Sequence, residues 1–177
     1  MWDWFRENIW NDAEDIPDVR TDYYLKPSDG VTGVKWREGN LELKFRTARY
    51  ELENGAMEGY LKESFPSELM LADLPSDGMI SIKKKRRKRM ASADRGLIQK
   101  MVEDIEEGCQ IEFTEVEIDG SSVWYTICFE AFGQKGREKD ILKETLGLFP
   151  LLETFFALEN SCGYAAKLKM LASRSEH

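Results

Sequence analysis

The sequence is poor in the residues on which much catalytic and metal chemistry depends. Its only histidine is the final residue, His177. Ser-His or Cys-His nucleophilic catalysis and His-based metal ligation therefore have no base to work with. Its cysteines, Cys109, Cys128 and Cys162, are odd in number, far apart and without a Cys-x-x-Cys pair. That argues against a disulfide framework or a zinc site and fits small buried thiols in a reducing compartment. No apolar stretch approaches the ~20 residues that a membrane helix needs. The opening Met1-Trp2-Asp3-Trp4-Phe5-Arg6-Glu7 lacks the basic start and apolar run of an export signal. The expected location is the cytoplasm, with no membrane partner.

What is present belongs to a folded chain. Five tryptophans and nine phenylalanines exclude a disordered composition. The 177 residues suit a single domain over 1–177, large enough to bury about two-thirds of the surface that its unfolded chain exposes. A net charge of −8 makes nucleic acid an unlikely partner for the molecule as a whole. Any anion it holds needs a local basic site.

The stretch from Val34 to Arg46 alternates at the strand period. Val34 and Trp36 oppose Lys35 and Arg37; after the turn residues Glu38-Gly39-Asn40, the residues Leu41, Leu43 and Phe45 oppose Glu42, Lys44 and Arg46. This predicts a hairpin with one oily and one ionic face. Val19 to Leu25 reads as a strand with Arg20, Asp22 and Tyr24 on one face. Met1 to Trp10 reads as a first strand or an amphipathic turn, and 47–60 as a looser segment with a strand near Arg49 to Leu52.

A second hairpin is predicted from Cys109–Ile118 and Val123–Phe132 across Asp119-Gly120. Glu112 and Thr114 share one side of its first strand, Trp124, Thr126, Cys128 and Glu130 one side of its second. The basic run Lys83 to Arg89 continues the strand-like Met79 to Ile82. Extending that alternation puts Lys83, Lys85 and Arg87 on the ionic side and Lys84, Arg86 and Lys88 on the other, with a bulge exchanging the sets. Leu97 to Glu107 carries helical spacing, and the tail over 137–173 is amphipathic and helical in pieces.

Strands that are apolar on one side and carry Lys, Arg and Glu on the other suit a sheet closed into a barrel. The helices would cover the apolar side and the charges would line a lumen. Buried charges must be paired or bind something, and such a lumen suits a polyanion together with a hard divalent cation.

Several motifs carry a resemblance. Arg20-Thr21-Asp22-Tyr23-Tyr24-Leu25 and Gly33-Val34-Lys35-Trp36-Arg37-Glu38-Gly39-Asn40-Leu41-Glu42-Leu43-Lys44 look like the front half of CYTH-like proteins, the triphosphate tunnel fold. Ile111-Glu112-Phe113-Thr114-Glu115 and Phe129-Glu130-Ala131-Phe132-Gly133 resemble two further strands of that family. Glu159-Asn160-Ser161-Cys162-Gly163-Tyr164 is similar to a region near the C-terminus of some members. The resemblance implies an α+β fold, an antiparallel eight-stranded β-barrel with strands mostly within 1–132 and flanking helices over 137–173.

It also implies phosphate binding by Arg20, Lys35, Arg37, Lys44, Arg46, Lys83 and Lys85, and Mg²⁺ or Mn²⁺ held by Glu42, Glu112 and Glu130. The family's Glu-x-Glu-x-Lys pattern on the first strand is absent, since the first ten residues offer only Asp3, Arg6 and Glu7. No catalytic residue is assigned. The expectation is a tunnel protein that binds a triphosphate or polyphosphate as a non-catalytic relative. A metal-dependent triphosphate hydrolase and an interaction module with an exposed basic patch are the alternatives.

Overall fold

The computed structural model describes residues 2–10, 17–52, 55–66, 78–92, 96–98, 105–120, 122–149 and 162–174. In chain order the elements are α1 (Trp2–Asn8), β1 (Asp18–Leu25), β2 (Thr32–Arg37), β3 (Asn40–Leu52), β4 (Gly55–Pro66) and β5 (Met79–Ser92). Then come β6 (Gly96–Ile98), β7 (Gly108–Ile118), β8 (Ser122–Phe132), α2 (Glu138–Gly147) and α3 (Tyr164–Arg174). The strands hydrogen-bond in the order β4-β3-β2-β1-β5-β7-β8, with the short β6 against the end of β5. The chain packs as two compact units. One comprises Met1–Arg20, Lys84–Glu117 and Val123–Phe155; the other comprises Thr21–Lys83, Ile118–Ser122 and Phe156–His177.

The second unit is built on long hairpins. Glu38 and Gly39 both take positive φ, 49° and 78°, the combination that turns a strand back on itself within two residues and keeps its twist. The turn fixes the register as Arg37↔Asn40, Lys35↔Glu42 and Val34↔Leu43. β3 continues to Leu52 and pairs with β4 from Asn40↔Pro66 to Leu52↔Gly55, with one irregularity between Arg46 and Ala48. Asp29 closes the loop before β2, its Oδ1 accepting the N–H groups of Val31 and Thr32 at 2.8 Å each. α3 lies on the ionic side of this sheet. Tyr164 stacks on Tyr24 with centroids 5.8 Å apart, and Ala165 approaches Gly33, which has no side chain to hold it off.

The first unit holds an aromatic core. α1 places Trp2, Phe5 and Ile9 on one face, and the rings of Trp2 and Phe5 lie 5.1 and 5.3 Å from Phe113 on β7. Cys109, Ile111 and Phe113 are buried on that side of the strand. Each large side chain that is fully buried contributes roughly 1.5–3 kcal/mol. Phe149, just after α2, meets both Trp4 and Phe129. Burial pushes the Cys109 thiol up to about 12, so it is an inert core residue.

Several expectations are corrected. The sheet is open: its order ends at β4 on one side and β8 on the other, so no barrel and no lumen form among the described residues. Closure needs a matched tilt and stagger around the whole ring, and side-chain alternation is the same in an open sheet as in a closed one. In the second unit the helical cover is reversed. α3 sits over the ionic face, while Phe45, Leu61 and Phe65 on the oily face are 39, 52 and 49% exposed.

Of the two expectations for the start of the chain, the strand is excluded: Trp2–Asn8 form a short helix. The strand expected near Arg49 to Leu52 is present as the end of β3, but the described residues around it are strand as well, with β3 and β4 paired up to Leu52↔Gly55. Leu97 and Ile98 belong to β6, paired with Ala91 and Met90; most of the helix expected after them, and the tail residues Leu151, Leu152, Phe155 and Phe156, lie outside the described residues.

One glycine is demanded by contact alone. A Cβ at Gly108 would stand 2.8 Å from the Ala91 carbonyl oxygen, a main-chain atom that cannot swing aside. Gly108→Ala is expected to destabilise the protein by about 2 kcal/mol, the cost of overpacking, measured by urea unfolding; an unchanged midpoint would refute the packing constraint.

Candidate anion-binding face

The ionic face of the second unit carries two buried carboxylates, each held by several cations. Glu42 on β3 is 3% exposed. Its Oε2 takes Lys35 Nζ at 2.9 Å and Lys62 Nζ at 3.6 Å, and its Oε1 takes Arg37 Nη2. Lys35 comes from the directly opposed position on β2, Arg37 two residues on, and Lys62 from β4. Lys35 also reaches Asp22 Oδ2 on β1 at 3.5 Å and lies over the Tyr24 ring. Farther along β3, Glu58 on β4 holds Arg46 Nη1 at 2.8 Å and Arg49 Nη1 at 2.6 Å. Lys44 stands over the Tyr60 ring at 4.4 Å.

Protonation follows from these contacts. Burial alone would raise the Glu42 carboxyl. The hydrogen bond and charge of Lys35, with the charges of Lys62 and Arg37, outweigh it and leave Glu42 below the ordinary carboxylate value. Glu58 is likewise pushed up by burial but brought below its ordinary value by Tyr60, Arg46 and Arg49. For Lys35, burial dominates and its pKa falls, although Asp22 and Glu42 pull the other way. Both carboxylates are therefore ionised near neutrality.

The first unit carries a smaller ionic cluster. Arg86 on β5 bridges Asp18 through Nη2 and Glu112 through Nη1 at 3.3 Å; Lys88 joins Asp18 at 3.2 Å. Thr114 donates its hydroxyl to Glu112 Oε1 at 2.6 Å. The alternate side of the same strand stacks on tryptophan, with Arg87 4.5 Å from the Trp2 ring and Arg89 4.3 Å from that of Trp10. The expected facing of the run is thus exchanged. Asp18 and Glu112 meet the set that contains Arg86 and Lys88, while Arg87 supports the aromatic helix. With Lys84, Arg86 and Arg87 all buried, the run is no exposed basic stripe.

Of the cations predicted to bind phosphate, the structure gathers Lys35 and Arg37 around Glu42, and sets Lys44 and Arg46 along the same face of β3. Arg20 is half-buried on β1, Lys83 is exposed and Lys85 half-buried on β5. Residues outside the predicted site complete the face: Asp22, already expected on one side of its strand with Tyr24, and Arg49, Glu58, Tyr60 and Lys62. Alternation along β4 puts Glu58, Tyr60 and Lys62 on one face, but Arg49 joins Arg46 only because the irregularity between Arg46 and Ala48 shifts the alternation by one residue.

The predicted metal ligands fit a divalent cation poorly. Both Glu42 oxygens already hold cationic side chains, Glu112 is shared between Arg86 and Thr114, and Glu130 is exposed on β8. Among the described residues no three His, Cys, Asp or Glu side chains gather within a metal's reach. None of the described helices is long and apolar enough to cross a membrane. In comparisons with known proteins, no family model, curated protein or solved structure matches the chain.

Because Glu42 and Glu58 have lowered folded-state values, their stabilisation is complete above the ordinary carboxylate value and is lost as pH falls through the folded one. Thermal melts should hold steady from pH 7 to about 5 and drop below about 4. Glu42→Gln, which removes the buried anion that Lys35, Arg37 and Lys62 share, should cost about 2 kcal/mol at pH 7 and much less at pH 3. Equal losses at the two pH values would contradict the ion-pair account.

Proposed function

We propose that the ionic face of β2, β3 and β4 binds a phosphate-rich anion, a triphosphate or a longer linear polyphosphate. One observation carries the reading: among the described residues of this face, five cations, Lys35, Arg37, Arg46, Arg49 and Lys62, share three carboxylates, Asp22, Glu42 and Glu58, and a sixth, Lys44, lies over the Tyr60 ring. A chain with a net charge of −8 has concentrated positive charge in one place, where a polyanion would complete the neutralisation.

The carboxylates have a positional role in this reading. Like charges set side by side repel, so cations brought together without an anion would splay apart. Glu42 holds Lys35, Arg37 and Lys62 about one point. Arg37 engages Glu42 through one terminal nitrogen, and a guanidinium carries five N–H donors in a fork that matches phosphate oxygens. Rows of side chains two residues apart along β3 are spaced by about 7 Å. From Lys35 and Glu42 through Lys44 and Lys62 to Arg46 they form a track for an extended chain of charges.

Calorimetric titration with tripolyphosphate, without added metal, tests the reading. Binding is expected, with an affinity that falls as salt is added. The double variant Arg37→Gln/Lys62→Gln should weaken it by roughly tenfold or more, the worth of at least one charge-assisted hydrogen bond. No heat at millimolar ligand, or an unaltered affinity in the double variant, would end the proposal.

A further inference from the structure

Four donors converge on one carboxylate at the far end of this face. Glu58 Oε1 accepts Arg46 Nη1 at 2.8 Å and Arg49 Nη1 at 2.6 Å, and Oε2 accepts the Tyr60 hydroxyl and the Gly163 main-chain N–H, the latter at 3.2 Å. The donors come from β3, from β4 and from the residue before α3, so the fold rather than local sequence brings them together. The Glu58 side chain is 8% exposed. A Cβ at Gly163 would meet the Tyr60 hydroxyl oxygen and push that side chain aside.

Two guanidiniums, a phenol and a main-chain N–H at a helix start are the donor set of an oxyanion receptor. The two guanidiniums carry twice the charge of the carboxylate they surround. Its neighbours hold Glu58 ionised despite its burial, so it fills the receptor as a monoanion at neutral pH.

We propose that this is a phosphoryl-binding subsite whose resident occupant is Glu58, and that the terminal phosphate of a chain lying along Lys35, Arg37 and Lys62 displaces it. The inference rests on the anion-binding reading of the face. A phosphoryl group brings a charge of about −1.5 to −2 and three acceptor oxygens, a closer match to Arg46 and Arg49 than one carboxylate. Glu58 is tethered and competes intramolecularly, so free inorganic phosphate, anchored nowhere else, is outcompeted. A polyphosphate held by the neighbouring cations reaches the subsite at high effective concentration. Glu58 thus selects for chain length and rejects single phosphates.

The test compares wild type with Glu58→Gln, which removes the competing charge and keeps the size of the side chain. Inorganic phosphate should bind the variant at least tenfold more tightly than wild type, with folding checked by circular dichroism. Equal phosphate affinities would overturn the subsite, and retained tripolyphosphate binding in wild type would show that the wider reading survives it. Conversely, no tripolyphosphate heat in wild type together with a phosphate gain in the variant would support the receptor and sink the wider reading. Should the variant not fold, the wild-type protein decides: a shift of the Gly163 amide resonance on saturation with tripolyphosphate supports displacement of Glu58, and a stationary amide overturns it.

Discussion

The structure of the second unit depends on one constraint: charges taken out of water must be paired where they lie. Glu42, at 3% exposure, is stable as an anion only because Lys35, Arg37 and Lys62 reach it from two neighbouring strands. Desolvation of such groups costs several kcal/mol each, and only good geometry recovers it. That geometry in turn requires the Lys35↔Glu42 register, which the Glu38-Gly39 turn sets. A slip of one residue would send every one of these side chains to the oily face.

The same constraint explains why a helix can lie over charges. α3 approaches through small residues, with Ala165 near Gly33 and Ala166 3.4 Å from where a Cβ of Gly30 would stand. Its first residues meet Tyr24 and Glu58, groups that can stack on or accept from the helix start. The carboxylates Glu42 and Glu58 are already held by neighbouring cations, so covering the face strands neither of them. The first unit solves its packing the ordinary way, with Phe5 and Phe113 in an apolar core, and uses the basic run mainly as lateral support. Arg87 and Arg89 lie against tryptophan, where a guanidinium gains from the ring face and the ring from the flat cation.

Local features were legible in the sequence, and those set by distant partners were not. Both hairpin turns announced themselves, because Gly39 and Gly120 supply the positive φ that the reversals need. The alternation of Lys35, Arg37, Glu42 and Lys44 identified their shared face. The continuation through β4 was hidden by Gly59, which reads as a loop residue but sits opposite Ala48 at the irregularity of the hairpin, close to the Thr47 hydroxyl. The facing of Arg86 could not be had from β5 alone, since it is decided by Asp18 and Glu112 on other strands. Barrel closure was out of reach for a related reason: it is a property of the two end strands together, and no pattern within one strand encodes it. The receptor around Glu58 joins positions more than a hundred residues apart, Glu58 and Gly163, and no spacing rule connects them.

The seat of α3 has a consequence for how this sequence can vary. A phenolic oxygen, a carboxylate and a peptide nitrogen meet at Gly163 so closely that a methyl group finds room only if Tyr60 moves. The two sites, far apart in the chain, are therefore coupled through one point of contact, and what is placed at the first decides where the second can lie.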